Sequence, residues 1–327
     1  MENFNKMIIK KEQRIESQET VDQSVSIEIC ENAESVADHA AELILDAIDE
    51  VNLDEERRHL LLMLPTGNTP KRMYQILAEK SKEKNTDFSK VIMARVEGFA
   101  GVTDEYIKSF DKYIIDNFFI PNGIEPNSQN FLRIENIISP NELGQLNKED
   151  LEERINLKLK EYDQTIKNLG GVDLAVLGLG GDAHVGDVQS SDLETKQKAL
   201  GVRSTRSMNI ENDFDEYTQN VFDKEYADNN GNLPSQYFAT IGMNTLSQSK
   251  NLIIMATGDK KAEAVNKGVS DLNLRWERSL DPQKREELKR KRIENDTSPF
   301  GFLMSSSART AEVKVIVDKA AASKLNK

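Results

Sequence analysis

Residues 171–188, GVDLAVLGLGGDAHVGDV, decide the fold. The run 172–176 is apolar except for Asp173, too short for a helix and closed by glycines, which predicts a short buried strand. Gly178, Gly180 and Gly181 then let the backbone take conformations closed to other residues. Asp182 and His184 are thereby expected to project from the C-terminal edge of a sheet, where α/β sheets hold their ligands. A glycine-rich turn in which the histidine only caps the loop fits the same spacing, and spacing alone leaves both readings open.

Working outward, the pattern of strand, turn and helix repeats. Residues 59–64, HLLLML, are so apolar that both faces must be covered, as in a parallel sheet. A helix starting near Asn32 precedes them, with Val36, Ala40, Leu43, Ile44, Ala47, Ile48 and Val51 on one face. After them come the turn 64–70, LPTGNTP, and a helix through Met73, Ile76 and Leu77. Residues 91–96 predict a further strand, 97–101 a turn, and Phe110, Ile114 and Phe118 a helix. The charged amphipathic helix 151–169 leads into the opening stretch, and 237–243, 252–257 and 313–317 predict three more strands. The second of these enters its helix through Gly258-Asp259-Lys260-Lys261. Strands separated by helices throughout predict an α/β fold, doubly wound and Rossmann-like, with a mostly parallel sheet covered by helices on both faces. Residues 24–327 are expected to form a single domain, preceded by a polar mobile tail at 1–23 and carrying a charged insertion at 275–294.

Composition narrows the function. The chain has 327 residues, of which 38% are hydrophobic and 30% charged, as in an ordinary globular protein. A formal charge of -13 argues against a nucleic-acid partner, because phosphate backbones are held by Lys and Arg. Cys30 is the only cysteine and the histidines stand at 39, 59 and 184, so no metal site and no cofactor are expected. No apolar run approaches the roughly 18 residues that span a membrane, and 1–23 is too polar for a signal peptide, so a cytoplasmic location is expected. Homo-oligomer formation is left open.

The turn 64–70 offers backbone N–H groups and hydroxyls at the positive end of a helix, which is a physical recipe for holding phosphate. Thr69 as a simple N-cap before Pro70 is the competing reading.

Taken together, these loops resemble the glucosamine-6-phosphate deaminase and 6-phosphogluconolactonase superfamily. LPTGNTP resembles its phosphate loop, GLGGDAHVG its G-x-G-x-DGH motif, and YFATIGMNTLSQSKNLIIMATGDKKA the stretch that carries a phosphate lysine in the deaminase branch. The resemblance implies that a phosphorylated sugar is the partner and that Thr66, Gly67, Asn68, Thr69 and Lys261 hold its phosphate. It also implies that His184, beside Asp182, assists opening of the sugar ring. The family's base is an aspartate in an M-DEY-V-G stretch. Asp104-Glu105-Tyr106 matches that stretch only with a deletion, whereas a gap-free match puts Glu97 at the base, Gly98 at the following glutamate and Phe99 at the tyrosine. In that register Glu97 is expected in the pocket, with room left by Gly98 for its longer side chain, and Asp104 and Glu105 in solvent. Two further positions depart from the family: Gln189, where a glutamate orients the histidine, with Asp187 close by, and Glu211, where an arginine binds phosphate. Arg203 and Arg206 are the arginines at hand for that role.

Three readings follow: a glucosamine-6-phosphate deaminase/isomerase-like enzyme with altered catalytic residues, a non-catalytic sugar-phosphate-binding or interaction protein on the same scaffold, and a 6-phosphogluconolactonase-like hydrolase. Because the insertion 275–294 interrupts the resemblance and has no continuous apolar stripe, replacing it with a short Gly/Ser linker should leave a soluble protein that still melts cooperatively. Insolubility of the deletion variant in a thermal-melt trial would show that the segment packs against the core or a second subunit.

Overall fold

A computed structural model describes residues 16–18, 24–103, 105–106, 108–186, 206–209, 224, 226–228, 230–277, 298–305 and 310–325. Its strands are β1 (Glu16–Gln18), β2 (Val25–Cys30), β3 (Leu60–Met63), β4 (Val91–Ala94), β5 (Glu97–Phe99), β6 (Phe131–Leu132), β7 (Leu174–Gly178), β8 (Arg206–Asn209), β9 (Tyr237–Thr240), β10 (Asn251–Ala256) and β11 (Glu312–Asp318). The helices are α1 (Ala33–Leu53), α2 (Lys71–Lys84), α3 (Phe110–Ile114), α4 (Pro140–Gln145), α5 (Lys148–Asn168), α6 (Met243–Ser247), α7 (Ala262–Glu277) and α8 (Pro299–Ser305).

Among the described residues the main sheet has the order β1-β2-β11-β10-β7-β3-β4-β6, and every pair is parallel except β1 with β2. Successive side chains of a strand face opposite ways, and the apolar runs use both faces. Leu60 and Leu62 pack with Ile44 and Ile48 of α1 and with Leu77 of α2. Leu61 and Met63 pack with Ile155 and Leu159 of α5. This is the predicted doubly wound α/β arrangement. Asp173, the one polar residue in its run, marks the N-terminal edge: its carboxylate accepts from Leu61 N at 2.7 Å, Arg57 Nη2 at 2.9 Å and Lys250 Nζ at 2.6 Å. No helix among the described residues is long and apolar enough to cross a membrane.

The structure departs from the sequence reading at several places. Residues 97–99, not expected as a strand, form β5, and β9 stops at Thr240 instead of running to 243, where α6 has begun. Both strands belong to a second, antiparallel sheet of order β5-β9-β8 that no local pattern announces, because Glu97 and Gly98 are poor strand formers until β9 pairs with them. β2 and β6 were not expected as strands. Glu16–Gln18, within the segment read as a mobile tail, pairs onto β2. The rest of 1–23, and 278–294 of the charged insertion, lie outside the described residues.

One buried cation ties this second sheet to the first. Arg95, fully buried just after β4, donates Nε to Asp111 Oδ1 of α3 at 3.2 Å, Nη1 to Leu64 O at 3.2 Å and Nη2 to Glu97 O at 3.3 Å. Removing one partner of a buried pair strands the other charge, so Arg95→Met is expected to cost about 3–5 kcal/mol in urea unfolding. Adding Asp111→Leu should recover part of that loss, since the stranded carboxylate is then gone.

Candidate active site

β3 ends where the turn 64–70 begins, and two tyrosines hold that turn in shape. Tyr74 donates its hydroxyl to Pro65 O at 2.7 Å, and Tyr113 donates to Gly67 O at 2.7 Å. Gly67 takes φ +100°, a conformation that glycine adopts without strain. Pro70 is the N-cap of α2 and no side chain caps the helix, so the reading of Thr69 as a simple N-cap is not what the structure has. Helix geometry leaves the first-turn amides without intrahelical acceptors; here Lys71 N donates to Asn68 O of the turn at 3.3 Å.

The second loop leaves β7 and folds tightly on itself, with Gly180 N donating to His184 O at 2.9 Å. A Cβ on Gly180 would lie 2.3 Å from His184 Nδ1, so only glycine lets the imidazole lie across this turn. His184 Nδ1 meets Asp182 Oδ1 at 2.6 Å. Burial pushes the Asp182 carboxyl up, but the hydrogen bond and charge of His184 outweigh it and bring the pKa down to about 2. An ionised Asp182 can only accept, so Nδ1 donates, and in the neutral imidazole the other ring nitrogen carries the lone pair.

The third loop leaves β10 and reaches Lys261 through the turn Asp259–Lys261. It is held from behind by Asp318 at the end of β11, whose two carboxylate oxygens each accept from Gly258 N at 3.0 Å. A Cβ on Gly181 would come within 3.7 Å of Lys260 O, so the second and third loops touch. Burial lowers the pKa of Lys261, and the charge of Asp182 opposes that fall.

Between the first two loops lies a cleft of about 240 Å³ lined by 65–70, Glu97, Phe110, Gly180, His184 and Tyr226, among others. Glu97, only 5% exposed, accepts from Thr66 Oγ1 at 2.9 Å. The structure thus brings Thr66, Gly67, Asn68, Thr69, Glu97 and His184 to one cleft at the C-terminal edge of the sheet. Asp182 reaches that cleft through His184, and Lys261 stands on the neighbouring loop. Glu105 is exposed. Asp104, Asp187, Gln189, Arg203 and Glu211 lie outside the described residues, and Arg206 opens β8, its Cα opposite Thr240. The room expected beside Gly98 does not exist: a Cβ there would lie 2.5 Å from Glu135 Cγ, on the face of β5 opposite Glu97.

Arg95, Tyr74, Tyr113 and Glu135 brace this site, and sequence reading missed them because their hydrogen bonds form only once the chain has folded. A cavity of about 280 Å³ lies at the other, N-terminal edge, beside Asp173, Arg57 and Lys250. The carboxylate there is already bonded to both cations, and the edge is the one that α/β sheets leave unused for ligands.

Comparison with known proteins agrees with this geometry. Residues 31–206 match the family model described as glucosamine-6-phosphate isomerases/6-phosphogluconolactonase. A glucosamine-6-phosphate deaminase of Thermoanaerobacter sp. (strain X514) is 28% identical over 239 residues, covering 73% of this chain and 80% of that protein. One from Drosophila pseudoobscura pseudoobscura is 28% identical over 250 residues, covering 76% and 80%. Among solved structures, a monomeric glucosamine-6-phosphate deaminase superposes with a TM-score of 0.61 at 20% identity, over 91% of this chain and 99% of that one. The 6-phosphogluconolactonase from Trypanosoma cruzi gives 0.60 at 16% identity, over 92% and 97%, and at such identities the likeness speaks for the fold alone. With more than half of its length matched by the family model, the chain belongs to the glucosamine-6-phosphate isomerase/6-phosphogluconolactonase family.

Proposed function

We propose that the protein is a sugar-phosphate deaminase/isomerase acting on an aminohexose 6-phosphate. Thr66, Gly67, Asn68 and Thr69, with Lys261, hold the phosphate through amides, hydroxyls and one ammonium. The observation that carries the reading is the hydrogen bond from Thr66 Oγ1 to Glu97 at 2.9 Å, which joins the phosphate loop to the only carboxylate lining the cleft among its described residues. Holding the phosphate therefore also places the acid.

In this reading the lone-pair nitrogen of His184 takes the anomeric hydroxyl proton as the bond from C1 to the ring oxygen breaks, and the ring oxygen receives a proton in return. Glu97 then removes the C2 proton while O1 takes up a proton, giving an enolamine, and returns its proton to C1 as the amine nitrogen gives one up. That leaves an imine at C2, which water converts to a ketone and ammonia. A base for this transfer needs an enclosed carboxylate within hydrogen-bond reach of the carbon acid, and Glu97 is enclosed. Asp182 keeps Nδ1 as the donor and stabilises the imidazolium while it lasts.

Turnover of glucosamine 6-phosphate with release of ammonia is the test. Glu97→Gln is expected to abolish it while the phosphate ligand still stabilises the fold, by about 2.7 kcal/mol at a hundredfold excess over Kd. Glu97→Asp separates two histories: a faster variant means a weakened deaminase, a slower one a site refitted around the longer acid. Hydrolysis of 6-phosphogluconolactone without ammonia release from the amino sugar would move the assignment to the lactonase branch. No turnover in the wild type, with ligand affinity unchanged in Glu97→Gln, would leave a sugar-phosphate-binding protein.

The pH dependence has a definite sign. The folded pKa of Asp182 lies below its ordinary value, so its stabilising bond to His184 is complete above the ordinary carboxylate range and is lost only as pH falls through about 2. An acid limb in kcat at milder pH should therefore persist in Asp182→Asn, even though the rate itself falls.

A further inference from the structure

Among the described residues, β5, the strand that carries Glu97, is the outer strand of its small sheet and pairs with β9 alone. On the paired side Val96 O accepts from Ile241 N at 2.8 Å and Ala100 N donates to Tyr237 O at 2.9 Å. The alternate residues turn their backbone groups outward, where a neighbouring strand would ordinarily meet them. Here side chains and one turn replace that strand. Arg95 donates to Glu97 O at 3.3 Å, the Glu135 carboxylate accepts from Phe99 N at 3.2 Å, and Glu135 O accepts from Gly101 N at 2.7 Å.

Glu135 is fully buried, and its carboxylate is saturated. One oxygen accepts from Phe99 N and from Phe110 N at 3.2 Å each. The other accepts from Asp111 N at 2.8 Å and from the Ser109 hydroxyl. Three of these partners are backbone N–H groups, which can only donate, so the carboxylate oxygens serve them as acceptors. Its stem lies where a side chain at position 98 would be: a Cβ there would stand 2.5 Å from Glu135 Cγ and 3.2 Å from Cδ.

We propose that Glu135 is a positioning residue for Glu97: its carboxylate occupies the side-chain space of Gly98, replaces the missing neighbour of β5 and fixes that strand to the start of α3. Gly98 and Glu135 are then one device, a carboxylate supplied from across the fold to a strand position that has no side chain of its own. The Gly98 Cβ position stands 3.2 Å from Glu135 Cδ, within reach of the carboxylate oxygens of a glutamate grown from position 98. The same carboxylate can therefore be supplied from either side.

The inference rests on the reading of Glu97 as the base, so wild-type turnover of glucosamine 6-phosphate is measured first. In an active enzyme, Glu135→Gln turns an amide N–H toward backbone donors and is expected to lower kcat about a hundredfold, the usual cost of displacing a catalytic group by about 1 Å. KM should move by less than about threefold, because Tyr74 and Tyr113 still hold the phosphate loop in shape. Gly98→Glu alone should be as damaging, whereas Gly98→Glu with Glu135→Ala should return kcat to within about tenfold of wild type. Retention of wild-type kcat in Glu135→Gln overturns the proposal, as does a double variant no better than Glu135→Ala. If the single variants do not fold, a folded double variant supports the exchange, and a double variant that also fails to fold overturns it. If the wild type shows no turnover, the proposed function falls separately, and crystal structures decide this inference. The contact between Thr66 and Glu97 should be broken in Glu135→Ala and restored in the double variant; an unchanged contact in Glu135→Ala overturns it.

Discussion

The buried ion pair between Arg95 and Asp111 is the constraint on which the candidate site depends. A guanidinium out of water is costly unless its donors are used, and Arg95 uses them on a carboxylate and on two carbonyls, those of Leu64 and Glu97. Those carbonyls belong to the two segments that must stand in register for chemistry, the turn 64–70 and β5. The charge is thus held by the same bonds that hold the site together. Tyr162 of α5 completes the support by donating its hydroxyl to Arg95 O at 2.8 Å.

The same device recurs at other points of the fold. Asp173 meets a backbone amide and two cations at the N-terminal edge of the sheet, Asp318 meets the amides of Gly258 and Ala321 at the C-terminal edge, and Glu135 meets three amides beneath β5. In each case a carboxylate takes up N–H groups at the end or edge of a regular element, where no strand or helix partner is available. Burial raises the pKa of the Glu135 carboxyl, and its hydrogen bonds and the charge of Arg95 oppose that rise. The loops of the cleft are short and are held from behind by these groups, so they need little bulk of their own.

Family membership and fold leave the chemistry undetermined, because the scaffold resembles a deaminase and a lactonase almost equally well, with TM-scores of 0.61 and 0.60. Fold and function are separable in this way whenever the site is built from loops. The chain's own features at β5 are Glu97 on the cleft wall, Gly98 without a side chain, and Phe99 turned into a cluster with Phe110, Phe238 and Tyr226. That cluster anchors β5 by apolar contact on the side away from Glu135, so the short strand is gripped from both faces.

The parallel sheet was legible in the sequence because its strands are buried on both faces, and a run such as Leu60 to Met63 can be stable nowhere else. The glycine turns were legible for a similar reason: Gly180 is required wherever His184 folds back over it, and that demand is local. The second sheet was not. Glu97, Gly98 and Phe99 become a strand only because residues 237–240, far along the chain, pair with one side and Arg95 and Glu135 satisfy the other. Hydrophobic periodicity reports what a segment does with its own neighbours, whereas pairing at a sheet edge and the filling of the space beside Gly98 depend on residues that only folding brings close. The sequence by itself therefore determined the layers of the fold and the loops at the sheet's edge, and by resemblance it put Glu97 in the pocket; the tertiary structure decided the strand that carries this carboxylate and what holds it there.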